Sequence, residues 1–192
     1  VAGTSFFPAK PLGCYGDGGA IFTNDDELAH KMKSIRVHGG GVDKYENVRL
    51  GINGRLDTIQ AAILLEKIEI FDAELKLRNK AADYYTQNIN KLCIPPLIPD
   101  KYFSSWAQYS VVLPESINRY ELMEKLNKND IPSMVYYKIP NHLQKGYLKY
   151  GNQKGDFEVS EDISKKILSL PLHPYLDEDS QDKVLNVINS VN

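Results

Sequence analysis

Between residue 57 and about residue 92 the apolar side chains recur at a helical period. Ile59, Ile63, Ile70, Leu77, Ala81 and Tyr84 fall on one face. The spacing predicts one long helix capped by Asp57 or Thr58. Its first half adds Ala61, Ala62, Leu64, Leu65, Ile68 and Phe71, which makes it apolar nearly all round. Such a helix is expected to be buried on more than one side. The second half carries Glu74, Lys76, Arg78, Lys80 and Asp83, the pattern of a solvated face.

A second constraint lies upstream. Pro8 and Pro11 flank Lys10, each without a backbone N–H and with φ fixed, so Lys10 cannot sit inside a helix. Phe7 and Lys10 precede prolines and are pushed toward extended geometry. Gly13, Gly16, Gly18 and Gly19 follow, allowing tight turns and close backbone approach. A lysine held on a stiff loop is either a surface residue of a turn or a Schiff-base nucleophile. The run Ala20, Ile21, Phe22, Thr23 reads as a short buried strand.

Composition narrows the classes. Hydrophobic residues make up 42% and charged residues 25%, as in ordinary globular domains. A formal net charge of -2 gives no reason to expect a nucleic-acid or membrane-surface binder. Two cysteines, Cys14 and Cys93, make no disulfide framework and no metal spacing is present, so the compartment is read as reducing cytoplasm. No apolar run approaches the roughly 20 residues a membrane helix needs.

Along the chain, Thr23, Asn24 or Asp25 is expected to cap a helix running through Leu28, Met32 and Ile35 to about Arg36. His38 is read as a turn histidine rather than a ligand, opening a mobile loop to Asn47. The proline-rich stretch 93–99 is an extended link. Beyond it, strands are expected over 107–113 and 131–137, with helices from about 115–118, over 160–168 and over 177–191. Strands alternating with helices make this an α/β or α+β domain.

The segment Ser5, Phe6, Lys10, Leu12, Gly13, Gly18, Gly19 resembles the lysine segment of the DegT/DnrJ/EryC1/StrS family, the pyridoxal-phosphate sugar aminotransferases. Gly51-Ile52-Asn53-Gly54-Arg55-Leu56 before Gln60-Ala61-Ala62 is similar to that family's Gly-x-Asn-x-Arg segment leading into a long helix. Tyr136-Tyr137-Lys138-Ile139-Pro140 with His142 and Tyr147, then Leu168-Ser169-Leu170-Pro171, match later family segments in the same order. The resemblance covers nearly the whole chain and corresponds to the C-terminal half of a family member.

The resemblance implies an α/β chain of the PLP-dependent transferase fold type I. Residues 1–71 would form the C-terminal part of the large cofactor-binding domain, with the start of the long connecting helix. Residues 72–192 would form a small α/β C-terminal domain. It implies an aminotransferase using pyridoxal 5'-phosphate, with Lys10 as the catalytic and cofactor-binding lysine. Ser5 would bind the cofactor phosphate, and Asn53 would reach the phosphate held by a second copy in a homodimer with a composite site. Arg55 would contact the sugar nucleotide or serve as a structural ion-pair former. His142 and Tyr147 would lie near the sugar-nucleotide pocket, or fill core or surface roles. The expected donor is glutamate and the expected acceptor a keto-sugar nucleotide, UDP-linked, for bacterial surface polysaccharide. The alternatives are a non-catalytic piece that only dimerises or binds, or a family enzyme for a cyclitol or antibiotic precursor. No metal, nucleic acid or membrane partner is expected.

Overall fold

The computed structural model describes residues 1–43 and 45–191. The chain separates into two compact units, Val1–Asp72 and Ala73–Asn192, and the long helix continues from the first into the second.

In the first unit, β1 (Ala2–Ser5) and β2 (Gly19–Phe22) pair antiparallel, with Ala2 opposite Phe22 and Ser5 opposite Gly19. The expected strand is present, but it is not buried here: Ile21 and Phe22 are exposed. Helix α1 (Asp26–Arg36) starts where Asp25 accepts the Leu28 N–H on its side chain, and Asp26 and Glu27 complement the positive helix end. Its last turn is closed from outside. The Ile35 and Arg36 carbonyls, orphaned by the helix end, accept the Ile52 and Gly54 N–H groups. The loop expected to be mobile carries an antiparallel bridge between Gly40 and Asn47, and its Lys44 lies outside the described residues.

Helix α2 spans Thr58–Asn88. In its first half Leu64 is buried, while Ile59, Leu65, Ile68 and Ile70 are exposed. The predicted burial on more than one side is therefore not found among the described residues.

The second unit holds the core. Strands β3 (Tyr109–Val112) and β4 (Ile167–Leu170) pair antiparallel. Single bridges extend this sheet on both sides, Ile94 to Val112 and Met134 to Ser169. Helices α3 (Arg119–Lys128), α4 (Glu158–Lys166) and α5 (Glu178–Asn189) complete the unit. Tyr85, Tyr109, Val111, Leu122, Leu126, Leu168 and Ile188 are among the side chains that fill it. Asn118 and Asp177 cap α3 and α5 through their side chains.

Two expectations are corrected here. Residues 131–137 form no strand; only Met134 bridges to the sheet. The helix expected over 160–168 begins and ends earlier, and Ile167–Leu170 is instead strand β4. Among the described residues no helix is long and apolar enough to cross a membrane.

Candidate active site

The lysine loop is built on the β1–β2 hairpin. After Ser5, the Lys10 N–H donates to the Phe7 carbonyl at 2.8 Å, closing a four-residue turn. Pro8 takes the second position of that turn, where its fixed φ is already suitable. The loop is then tied across itself: Phe6 N–H donates to Gly18 O and Cys14 N–H to Phe6 O, both at 2.8 Å. Gly13 cannot be replaced without movement, because a Cβ there would stand 2.7 Å from the Phe7 carbonyl oxygen and 2.8 Å from that of Pro8. Cys14 is buried beneath the loop, its thiol donating to the carbonyls of Phe6 at 3.0 Å and Gly16 at 3.1 Å.

Lys10 leaves this turn exposed. Among the described residues its side-chain nitrogen has no hydrogen-bond or ion-pair partner. Ser5 Oγ accepts the Phe7 N–H at 3.2 Å, which leaves its O–H free to donate.

Helix α2 holds the loop from outside. Gln60 Oε1 accepts the Tyr15 N–H at 2.8 Å. Lys67 Nζ donates to the Gly13 carbonyl at 2.6 Å and lies 4.9 Å from the centre of the Tyr15 ring.

Asn53 and Arg55 sit on the second loop, against the end of α1. This path is possible because residue 51 is glycine: a Cβ there would lie 2.0 Å from the Gly39 nitrogen. Both side chains are exposed and unpartnered among the described residues. No hydrogen bond joins either of them to Ser5 or Lys10 among those residues.

His142 and Tyr147 belong to the second unit. His142 is buried, with Nε2 3.0 Å from Glu161 Oε1 and its ring centre 4.8 Å from that of Phe157. The Glu161 carboxyl is held below the usual carboxylate range, first by the Gly155 N–H and then by His142, against the opposing effect of burial. His142 borders a cavity of about 470 Å³ with Tyr136, Tyr137, Ile139 and Phe157. Tyr147 is half exposed on a short 3₁₀ turn, Lys145–Tyr150, stacked on Tyr150 at 6.3 Å. Among the described residues no group of side chains could hold a metal ion.

The family model for the DegT/DnrJ/EryC1/StrS aminotransferase family matches residues 1–189. The chain belongs to that family. It is 46% identical over 178 residues to the UDP-2-acetamido-2-deoxy-3-oxo-D-glucuronate aminotransferase of Pseudomonas aeruginosa, covering 92% of this chain and 48% of that protein. It is 37% identical to the dTDP-3-amino-3,6-dideoxy-alpha-D-galactopyranose transaminase of Aneurinibacillus thermoaerophilus, covering 98% and 51%. A crystal structure of a DegT DnrJ EryC1 StrS aminotransferase from Brucella abortus superposes with a TM-score of 0.90 at 50% identity, covering 97% of this chain and 49% of that one. The chain thus spans about half the length of the relatives it matches. Pyridoxal phosphate is the cofactor that the family and its solved structures indicate.

Sequence reasoning did not find the contacts that Gln60 and Lys67 make with the lysine loop. Their seven-residue separation puts them on one face of α2, but nothing in the sequence says what that face touches. Glu161 gave no signal at all; it reads as one more helix-surface acid.

Proposed function

We propose that this chain is the lysine-bearing part of a fold-type-I aminotransferase that moves an amino group from glutamate to a keto-sugar nucleotide. The observation that carries the reading is Lys10: an exposed, unpartnered amine on a turn closed by Phe7 and packed around Gly13. The similarity to a UDP-sugar aminotransferase at 46% identity favours a UDP-linked acceptor over the dTDP-linked class represented at 37%, and the reading takes the product to be bound for bacterial surface polysaccharide.

When bound, pyridoxal phosphate supplies the electron sink for negative charge developing beside the transferred nitrogen. Lys10 would hold the cofactor, and its amine would accept the proton leaving the α-carbon of glutamate. The Ser5 hydroxyl would donate to the cofactor phosphate. The Asn53 carboxamide reaches the phosphate held by a second copy of the chain, so the working form is a homodimer with a composite site. Arg55 offers a bidentate fork to a diphosphate or carboxylate. His142 and Tyr147 border the sugar-nucleotide pocket, with residues 1–71 and 72–192 as the two domains. The compartment is the cytoplasm.

The test uses the chain joined to an upstream half, with glutamate and a UDP-linked keto sugar. A Lys10→Ala protein is mixed with an Asn53→Ala protein after proven subunit exchange. Restored amino transfer is the expected result, since a mixed dimer has one intact site. Inactivity of the unmutated assembly would favour a chain that only dimerises or binds.

A further inference from the structure

We propose that Gln60 and Lys67 are positioning residues that fix the lysine loop to α2, so that the helix sets where the Lys10 amine stands. The inference rests on the functional reading above. Both contacts are made to loop backbone, Gln60 to the Tyr15 N–H and Lys67 to the Gly13 carbonyl. The loop's own side chains therefore do not set them; the helix residues do.

The two positions are seven residues apart, about two helical turns or roughly 10 Å along the axis, on one face. They meet the loop on the side leaving Lys10. Gly13 lies three residues beyond Lys10, and the intervening Pro11 has a fixed φ, so a displacement at Gly13 carries back to Lys10 with little slack. Lys67 also covers the Tyr15 ring, which links the two contacts into one. Glu66 and Glu69 are its neighbours in sequence, yet among the described residues Lys67 makes no ion pair; its charge is directed at a loop carbonyl. Both Gln60 and Lys67 are half-buried, as residues clamped between helix and loop should be.

A reacting amine tolerates little misplacement, with an error of about 1 Å costing roughly 100-fold. Gln60→Ala and Lys67→Met are expected to lower kcat by about tenfold or more with little change in the KM for glutamate. Lys67→Arg, which keeps the charge and the donor, should recover most of the loss.

The decisive readout is separate from turnover. Chain joined to the upstream half of a relative is loaded with pyridoxal phosphate, reduced with borohydride, and mapped by peptide mass. The fraction of bound cofactor trapped on Lys10 should fall about tenfold in Gln60→Ala and Lys67→Met at matched occupancy, and return in Lys67→Arg. Hydrogen exchange at the Tyr15 amide should accelerate in Gln60→Ala. Unmutated trapping and turnover in both variants would overturn the inference. If Lys67→Met does not fold, Gln60→Ala decides alone, and undiminished trapping in it overturns the inference. Label on another lysine in the unmutated protein would instead overturn the functional reading.

Discussion

His142 Nε2 stands 3.0 Å from Glu161 Oε1, and the same oxygen accepts the Gly155 N–H at 2.7 Å. One buried carboxylate thus closes the segment that carries Tyr147. Its depressed pKa fixes the sign of the pH dependence. The stabilisation is fully present above the unfolded value of 4.5 and is lost as pH falls through the lower folded value. Glu161→Gln should lower the melting temperature at pH 7, and the difference from the unmutated chain should shrink as the pH drops below 4.5. Melting curves of both proteins across that range check this; a difference independent of pH would contradict it.

Arg119 is buried and donates from one guanidinium nitrogen to the carbonyls of Ser164 at 2.7 Å and Ile167 at 3.2 Å. It satisfies the end of α4 and the first residue of β4 together. Arg119→Ala should cost about 2 kcal/mol, the range for a hydrogen bond to a charged group. That corresponds to roughly 4–8 °C in melting temperature for a chain of this size. Calorimetry reads it directly.

Gly51→Ala places a methyl against the Gly39 backbone and the end of α1. Backbone on both sides leaves nothing soft to yield, so a loss of about 1–3 kcal/mol is expected. Because Arg55, the proposed sugar-nucleotide contact, rides on the same loop, affinity for a sugar nucleotide should fall with it. Titration of the nucleotide against the folded fraction separates the two effects.

Much of this is legible in the amino-acid sequence alone. Asp25, Asn118 and Asp177 announce helix starts because a short acceptor side chain precedes a periodic apolar run, and capping is a local matter. Strand β4 was not legible. Leu168, Ser169 and Leu170 follow α4 with no glycine or proline between, so the helical period reads through them. Their pairing with Tyr109 and Val111 is set by residues far off in sequence. Residues 131–137 failed the opposite way: a strand-like composition with one bridge to the sheet. At the site, the glycine and proline pattern around Lys10 was readable because backbone sterics are local. The clamp by Gln60 and Lys67 was not, since it depends on where α2 lies against the hairpin.

Ile59 and Ile70 leave one exposed apolar face on α2, and Leu65 and Ile68 leave another on roughly the opposite side of the helix. A face of that kind drives association in water. The isolated chain should therefore sediment as more than a monomer at micromolar concentration, and Ile68→Glu should shift it toward monomer. Sedimentation velocity on both proteins gives the answer.

The central claim is that Lys10 is the amine that holds the cofactor. Borohydride reduction of the chain loaded with pyridoxal phosphate in the presence of the upstream half of a relative, followed by peptide mapping, tests it most directly. The account predicts the label on Lys10 and its loss in Lys10→Ala. Label on Lys31, Lys33 or any other lysine, with Lys10 unmodified, would contradict it.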